Sequence, residues 1–97
     1  MQESGGSVRV SEATLSEIVR RAVASVEGAR LRKGRRRLGV ELEEGRARAE
    51  LQLVVAYGCV LPEVCTAVQE RVADALARIC DVEIEAIDVT VEELVRS

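Results

Sequence analysis

The chain has 97 residues, 47% of them hydrophobic, with 14 Lys plus Arg against 17 Asp plus Glu, a formal charge of −3 and no His. That is material for one domain, burying roughly 60% of its unfolded surface, and without His there are no imidazole relays and no imidazole-ligated zinc. A single Tyr with neither Phe nor Trp leaves almost nothing on which bases or sugars could stack, so the core must be aliphatic.

Met1 to Gly6 is small and polar and is expected to be disordered, with one domain following over residues 7–95. Ser7-Val8-Arg9-Val10 alternates as a short strand does. A helix then begins, with Ser11 as cap, Val10 and Leu15 as hydrophobic staple, and Glu12 at the positive end of the dipole. Leu15, Ile18, Val19, Ala22, Val23 and Val26 recur at helical spacing, and Gly28 is placed to stop the helix at C′. Residues 29–37, ARLRKGRRR, read as a basic connection with Gly34 at its middle.

Two strands follow. Leu38, Val40 and Leu42 alternate with Gly39, Glu41 and Glu43, and Glu44-Gly45 turns the chain into the longer run Arg46 to Tyr57. There Ala47, Ala49, Leu51, Leu53, Val55 and Tyr57 share one face, and Arg46, Arg48, Glu50, Gln52, Val54 and Ala56 the other. Gly58 breaks the strand and Pro62 opens a second helix. Its apolar stripe is Leu61, Val64, Cys65, Val68, Val72, Ala75, Leu76 and Ile79, and its end falls near Asp81. Val82 and Ile84 suggest a short extended bend. Ile87, Val89 and Val91 then form a last strand, after a phase change between Ala86 and Ile87 that implies a bulge or kink. The fold class predicted is α+β: a two-layer βαββαβ sandwich, its sheet mainly antiparallel and both helices on one face.

No stretch approaches the roughly 20 apolar residues of a membrane span, the longest being Leu53 to Leu61 with Gly58 inside it. The N-terminus has no basic-then-apolar leader, so a cytoplasmic location is expected, and three cysteines, an odd count, suit a reducing compartment. Charge is divided along the chain, +3 over residues 1–57 and −6 over residues 58–97.

Four segments stand in a telling order: the run Leu53-Val54-Val55-Ala56-Tyr57-Gly58, then Leu61-Pro62-Glu63-Val64, Val68-Gln69-Glu70-Arg71-Val72, and finally Val82 to Val91. Together they resemble the bacterial alkaline shock protein family. Val8-Arg9-Val10-Ser11 and Val26-Glu27-Gly28 extend the likeness to about residues 7–91. The resemblance implies a small non-catalytic cytoplasmic protein of envelope or alkaline stress. Some members of the family are held at the inner face of the membrane by an integral membrane partner, and others are associated with the regulation of lipid synthesis. It supplies no catalytic residues and no cofactor.

The remaining candidates come from the residues themselves. Arg30, Arg32, Lys33, Arg35, Arg36 and Arg37 set six cations within eight residues, an anion-binding candidate for anionic lipid, nucleic acid or an acidic partner, with a solvated connector as the plain alternative. An RNA-binding module of KH-like shape using residues 30–37 is the alternative function, weakened because KGRRR lacks the GxxG clamp. Cys65 and Cys80 read as small buried hydrophobes, and Cys59 lies near a helix start; no CxxC pair suggests zinc. Val54 and Ala56 on the side without helices, with Glu63, Gln69 and Glu70 on the second helix, are the candidate interface residues for a homo-oligomer. No small-molecule substrate, metal or catalytic group is expected.

Overall fold

The computed structural model describes residues 10–34 and 38–96. Its organising feature is the alternation in Arg46–Ala56: Ala47, Ala49, Leu51, Leu53 and Val55 are each at most 1% exposed, while Arg46, Arg48 and Glu50 between them face solvent. The described elements run α1 (Glu12–Ala24), β1 (Ala29–Leu31), β2 (Leu38–Glu43), β3 (Arg46–Ala56), α2 (Leu61–Cys80) and β4 (Glu83–Val95).

Local chemistry sets most boundaries as expected. Ser11 Oγ accepts from Thr14 N–H at 3.1 Å and starts α1. Glu44 and Gly45 both take positive φ, 51° and 77°, which matches the twist of a tight hairpin joining β2 to β3. Pro62 sits in the first turn of α2, and Asp81, left-handed at φ 56°, ends it by donating its N–H to Ala77 O.

Both helices lie on the face lined by Ala47 to Val55. Leu15, Val19 and Val23 from α1 and Val64, Val68, Val72 and Leu76 from α2 close the core over that face. Arg71 Nη1 on α2 donates to Ser25 Oγ at 2.7 Å, and that hydroxyl donates to Ala22 O at 2.6 Å, so the end of α1 is tied to α2.

The sheet is built on β3. β1 and β2 both pair antiparallel with it, Ala29 opposite Val55 and Leu38 opposite Leu51, while β4 pairs parallel along its other edge from Arg46↔Glu83 to Ala56↔Val95. Helix length explains the parallel strand. The 20 residues of α2 span about 30 Å, nearly the ~36 Å of an 11-residue strand, so the helix returns the chain to the beginning of β3. Glu83 N–H then donates to Gly45 O at one end and Tyr57 N–H to Val95 O at the other, at 2.8 and 2.6 Å.

The two-layer α+β class holds, with two of three ladders antiparallel and the longest parallel. Several local expectations change. Of the strand expected at residues 7–10, residues 7–9 lie outside the described residues, as does the segment 1–6, and Val10 is not in a strand. The first described strand is instead β1, inside the supposed connection, because Ala29 and Leu31 alternate with Arg30 and reach the core. Gly28 does not cap α1, which ends at Ala24 with Ser25 as its cap; it turns the chain at φ 88° into β1. β4 is one continuous strand with its first irregularity at Glu85, just before the position expected, and a second near Glu92. Tyr57 and Ile79, expected on buried faces, are 65% and 63% exposed because each overruns the covered length of its element.

A Cβ added at Gly28 would stand 2.7 Å from Cys59 Sγ as well as forcing the left-handed backbone on an L residue. Gly28→Ala is therefore expected to lower unfolding free energy by about 1–3 kcal/mol. Since the thiol can rotate aside, adding Cys59→Ala should recover only a minor part in urea titrations.

Candidate functional site

With both helices on one side, no described element covers the other side of the sheet, and register fixes what stands on it. Arg46 lies between Glu43 and Glu83, its Nε 4.0 Å from Glu83 Oε1; Arg48 is opposite Glu41. In the next row Glu50 stands between Gly39 and Asp88, and the missing Gly39 side chain, with nothing within 4 Å of a Cβ there, opens a depression of about 510 Å³. Gln52 follows, its Oε1 accepting from Arg32 Nη1 at 3.1 Å.

The far end of this face is apolar. Val54 is 3% exposed yet lies outside the core cluster, flanked in register by Arg30 and Glu93, and Ala56 lies beside Val95. These residues border an open cleft of about 340 Å³ with Gly28 and Arg96. The Arg96 guanidinium carbon sits 5.5 Å from the centroid of the Tyr57 ring, a cation–π distance.

The candidate interface residues thus occupy two surfaces. Val54 and Ala56 are on the open sheet face, whereas Glu63, Gln69 and Glu70 are exposed on α2 in the helical layer. Gln69 Nε2 donates to Ile87 O at 3.0 Å, bonding across to β4 within the fold.

The anion-binding candidates are split as well. Arg30 is in β1, Arg32 follows it and donates its N–H to Gln52 O at 2.8 Å, and Lys33 and Gly34 turn away; Arg35, Arg36 and Arg37 lie outside the described residues. Register jumps here: Arg32 is opposite Gln52, yet the adjacent Leu51 is opposite Leu38. Between α1 and β1 lies a second cleft, about 440 Å³, rimmed by Arg20, Arg30, Arg32 and Lys33. Sequence reasoning missed this groove; the signal was the apolar–Arg–apolar alternation of residues 29–31 immediately after a glycine.

Elsewhere, the hydrogen bond from Arg21 Nε, together with the Arg20 and Arg21 charges, holds the Glu17 carboxyl below the usual carboxylate range. Cys59, Cys65 and Cys80 are free and half-buried. Among the described residues no group of three or more His, Cys, Asp or Glu side chains is placed to hold a metal.

These features define a helix-on-sheet domain with one bare, chemically graded sheet face. By its sequence the chain belongs to the alkaline shock protein family, a family of cell envelope-related function, whose model matches residues 29–96. No curated protein matches it. Among solved structures it is similar to the zinc form of an Asp-to-Asn variant of MamM CTD, with a TM-score of 0.62 and 21% identity over 84% of each chain. A His-to-Glu variant of MamM CTD matches at a TM-score of 0.61 and 23% identity, covering 84% of this chain and 93% of that one. A nickel form of a Glu-to-His variant gives 0.60 and 21%, covering 84% and 96%. At these identities the likeness is one of fold.

Because the Gln69 amide bonds within the fold, Gln69→Ala is expected to reduce stability by about 0.5–1.5 kcal/mol. Thermal or urea unfolding should register that loss, with no change in particle mass.

Proposed function

We propose that the protein is a non-enzymatic interaction module of the cell envelope, working by self-association through its open sheet face and by attachment to an integral membrane partner. Ala56 and Val95 carry the first half of this reading. Half-buried beside the covered Val54, on the side of the sheet without helices, they make an apolar end that runs into the charged rows of Arg48 and Glu50. A second copy of the chain is the occupant that fits, since the same face presents both an apolar patch and both signs of charge to its own image.

The second half is supported by the family's envelope-related function. Among the described residues no helix is long and apolar enough to cross a membrane, so in this reading the chain works as a cytoplasmic protein, peripheral at the inner face of the membrane, with the attachment supplied by the partner. The same reading includes no small-molecule substrate and no cofactor. Binding by exposed patches suits a chain whose aliphatic side chains are committed to one core.

Ala56→Arg places a long cation in the apolar end while leaving the helical layer untouched. It is expected to weaken self-association about tenfold or more, read by sedimentation velocity over a range of concentrations. A wild-type chain that stays monomeric throughout, together with cross-linking in cells that recovers no integral membrane protein, would overturn the proposal.

A further inference from the structure

The groove between α1 and β1 combines two properties that arise separately. The first is a bare backbone edge. Gly28 O accepts from Ala56 N–H, and Arg32 N–H donates to Gln52 O, both at 2.8 Å, so residues 28, 30 and 32 turn their backbone groups toward β3. Ala29 and Leu31 alternate with them and turn theirs outward. The Ala29 N–H is used in the turn by Val26 O at 3.2 Å. Leu31 N–H, Leu31 C=O and Ala29 C=O remain on the outer edge of the strand with no partner strand among the described residues, a template for one further strand.

The second property is charge. The cleft beside that edge has a floor of Val23, Ala24 and Leu31, and among the described residues every charged one lining it is a cation. Arg20 is engaged by Glu17 at 2.6 Å and Arg32 by the Gln52 amide, but among the described residues Arg30 and Lys33 have no partner. An apolar floor between unopposed cations, alongside free peptide groups, matches an extended chain that alternates apolar and acidic side chains. A flat lipid surface would leave the outward N–H of Leu31 unused, as would an RNA backbone contacted only by its phosphates.

We infer that this groove takes an extended acidic segment of a partner protein as an added β-strand on the outer edge of β1. The segment's C=O accepts from Leu31 N–H and its N–H donates to Leu31 C=O. Its apolar side chains rest on Val23 and Leu31, and its carboxylates meet Arg30 and Lys33. The inference rests on the reading of the protein as an interaction module; the groove shares Arg30 with the open face, but Ala56→Arg lies outside the groove and peptide N-methylation leaves the open face unaltered, so either can fail alone.

The test uses the full chain and a labelled, end-blocked hexapeptide of alternating valine and glutamate, followed by fluorescence anisotropy. The expected results are binding at least about tenfold tighter than for the valine–lysine counterpart, and about a tenfold loss in the double variant Arg30→Glu, Lys33→Glu, shrinking as salt rises. N-methylation of alternate peptide amides removes strand pairing without altering charge and should abolish binding; this readout does not depend on how any protein variant folds. Circular dichroism checks that the double variant retains its helices. Failure of the valine–glutamate peptide to bind, or indifference to N-methylation, overturns the inference. So does a result in which Lys33-dependent binding goes to phosphatidylglycerol vesicles or single-stranded RNA while the peptide is ignored.

Discussion

Everything in this domain is arranged around the burial of one face of one strand. β3 is the central strand of the sheet, with β1 and β2 along one edge and β4 along the other. Its five core residues, Ala47 to Val55, are almost fully removed from water. Without aromatic side chains the core has to be made from thin aliphatic layers, so Leu and Val packed at close range replace bulk. Any shift of β3 by one residue would turn Arg46, Arg48 and Glu50 into the helices, which fixes register more firmly than the backbone hydrogen bonds alone.

That same constraint decides where recognition can occur. Once two helices of 13 and 20 residues have been spent on one face, no described element remains to cover the other. The open face is therefore graded by what the register places on it: mixed in sign where Arg46 and Arg48 stand among Glu41, Glu43 and Glu83, acidic at Glu50 with Asp88, apolar at Ala56 and Val95 beside the covered Val54. A chain of this size has no room to enclose a ligand as well as a core, and binding specificity then has to come from patterned surface.

Much of this was legible in the sequence because it is local. Ser11, Glu44-Gly45, Pro62 and Asp81 mark their boundaries through backbone geometry that depends on one to four residues. The features that were not legible are those set by partners distant along the chain. Ala29-Arg30-Leu31 is too short for a period to emerge and becomes a strand only because Val55 to Leu53 lies beside it. The direction of β4 follows from how far α2 carries the chain, which periodicity does not encode. Gly28 was placed at the end of α1 by its residue type, while the helix stops earlier because Ser25 already satisfies the carbonyls of Arg21 and Ala22. The groove beside β1 needed both α1 and β3 in position before its cations shared a cleft.

The electrical division of the chain acquires a structural meaning through β3. The cations Arg30, Arg32 and Lys33 belong to one side of the sheet, while Glu83, Glu85, Asp88, Glu92 and Glu93 belong to β4 on the other. An exposed edge strand invites pairing with its copies. On β4, two such strands brought together would set acid against acid, and the irregularities at Glu85 and near Glu92 twist the ladder as well. β1 has neither defence against an anionic strand: it is short, but its free peptide groups are flanked by cations that repel another copy of itself and attract carboxylates. The two edges therefore discriminate by opposite signs, β4 refusing strands of its own kind and β1 selecting strands unlike it.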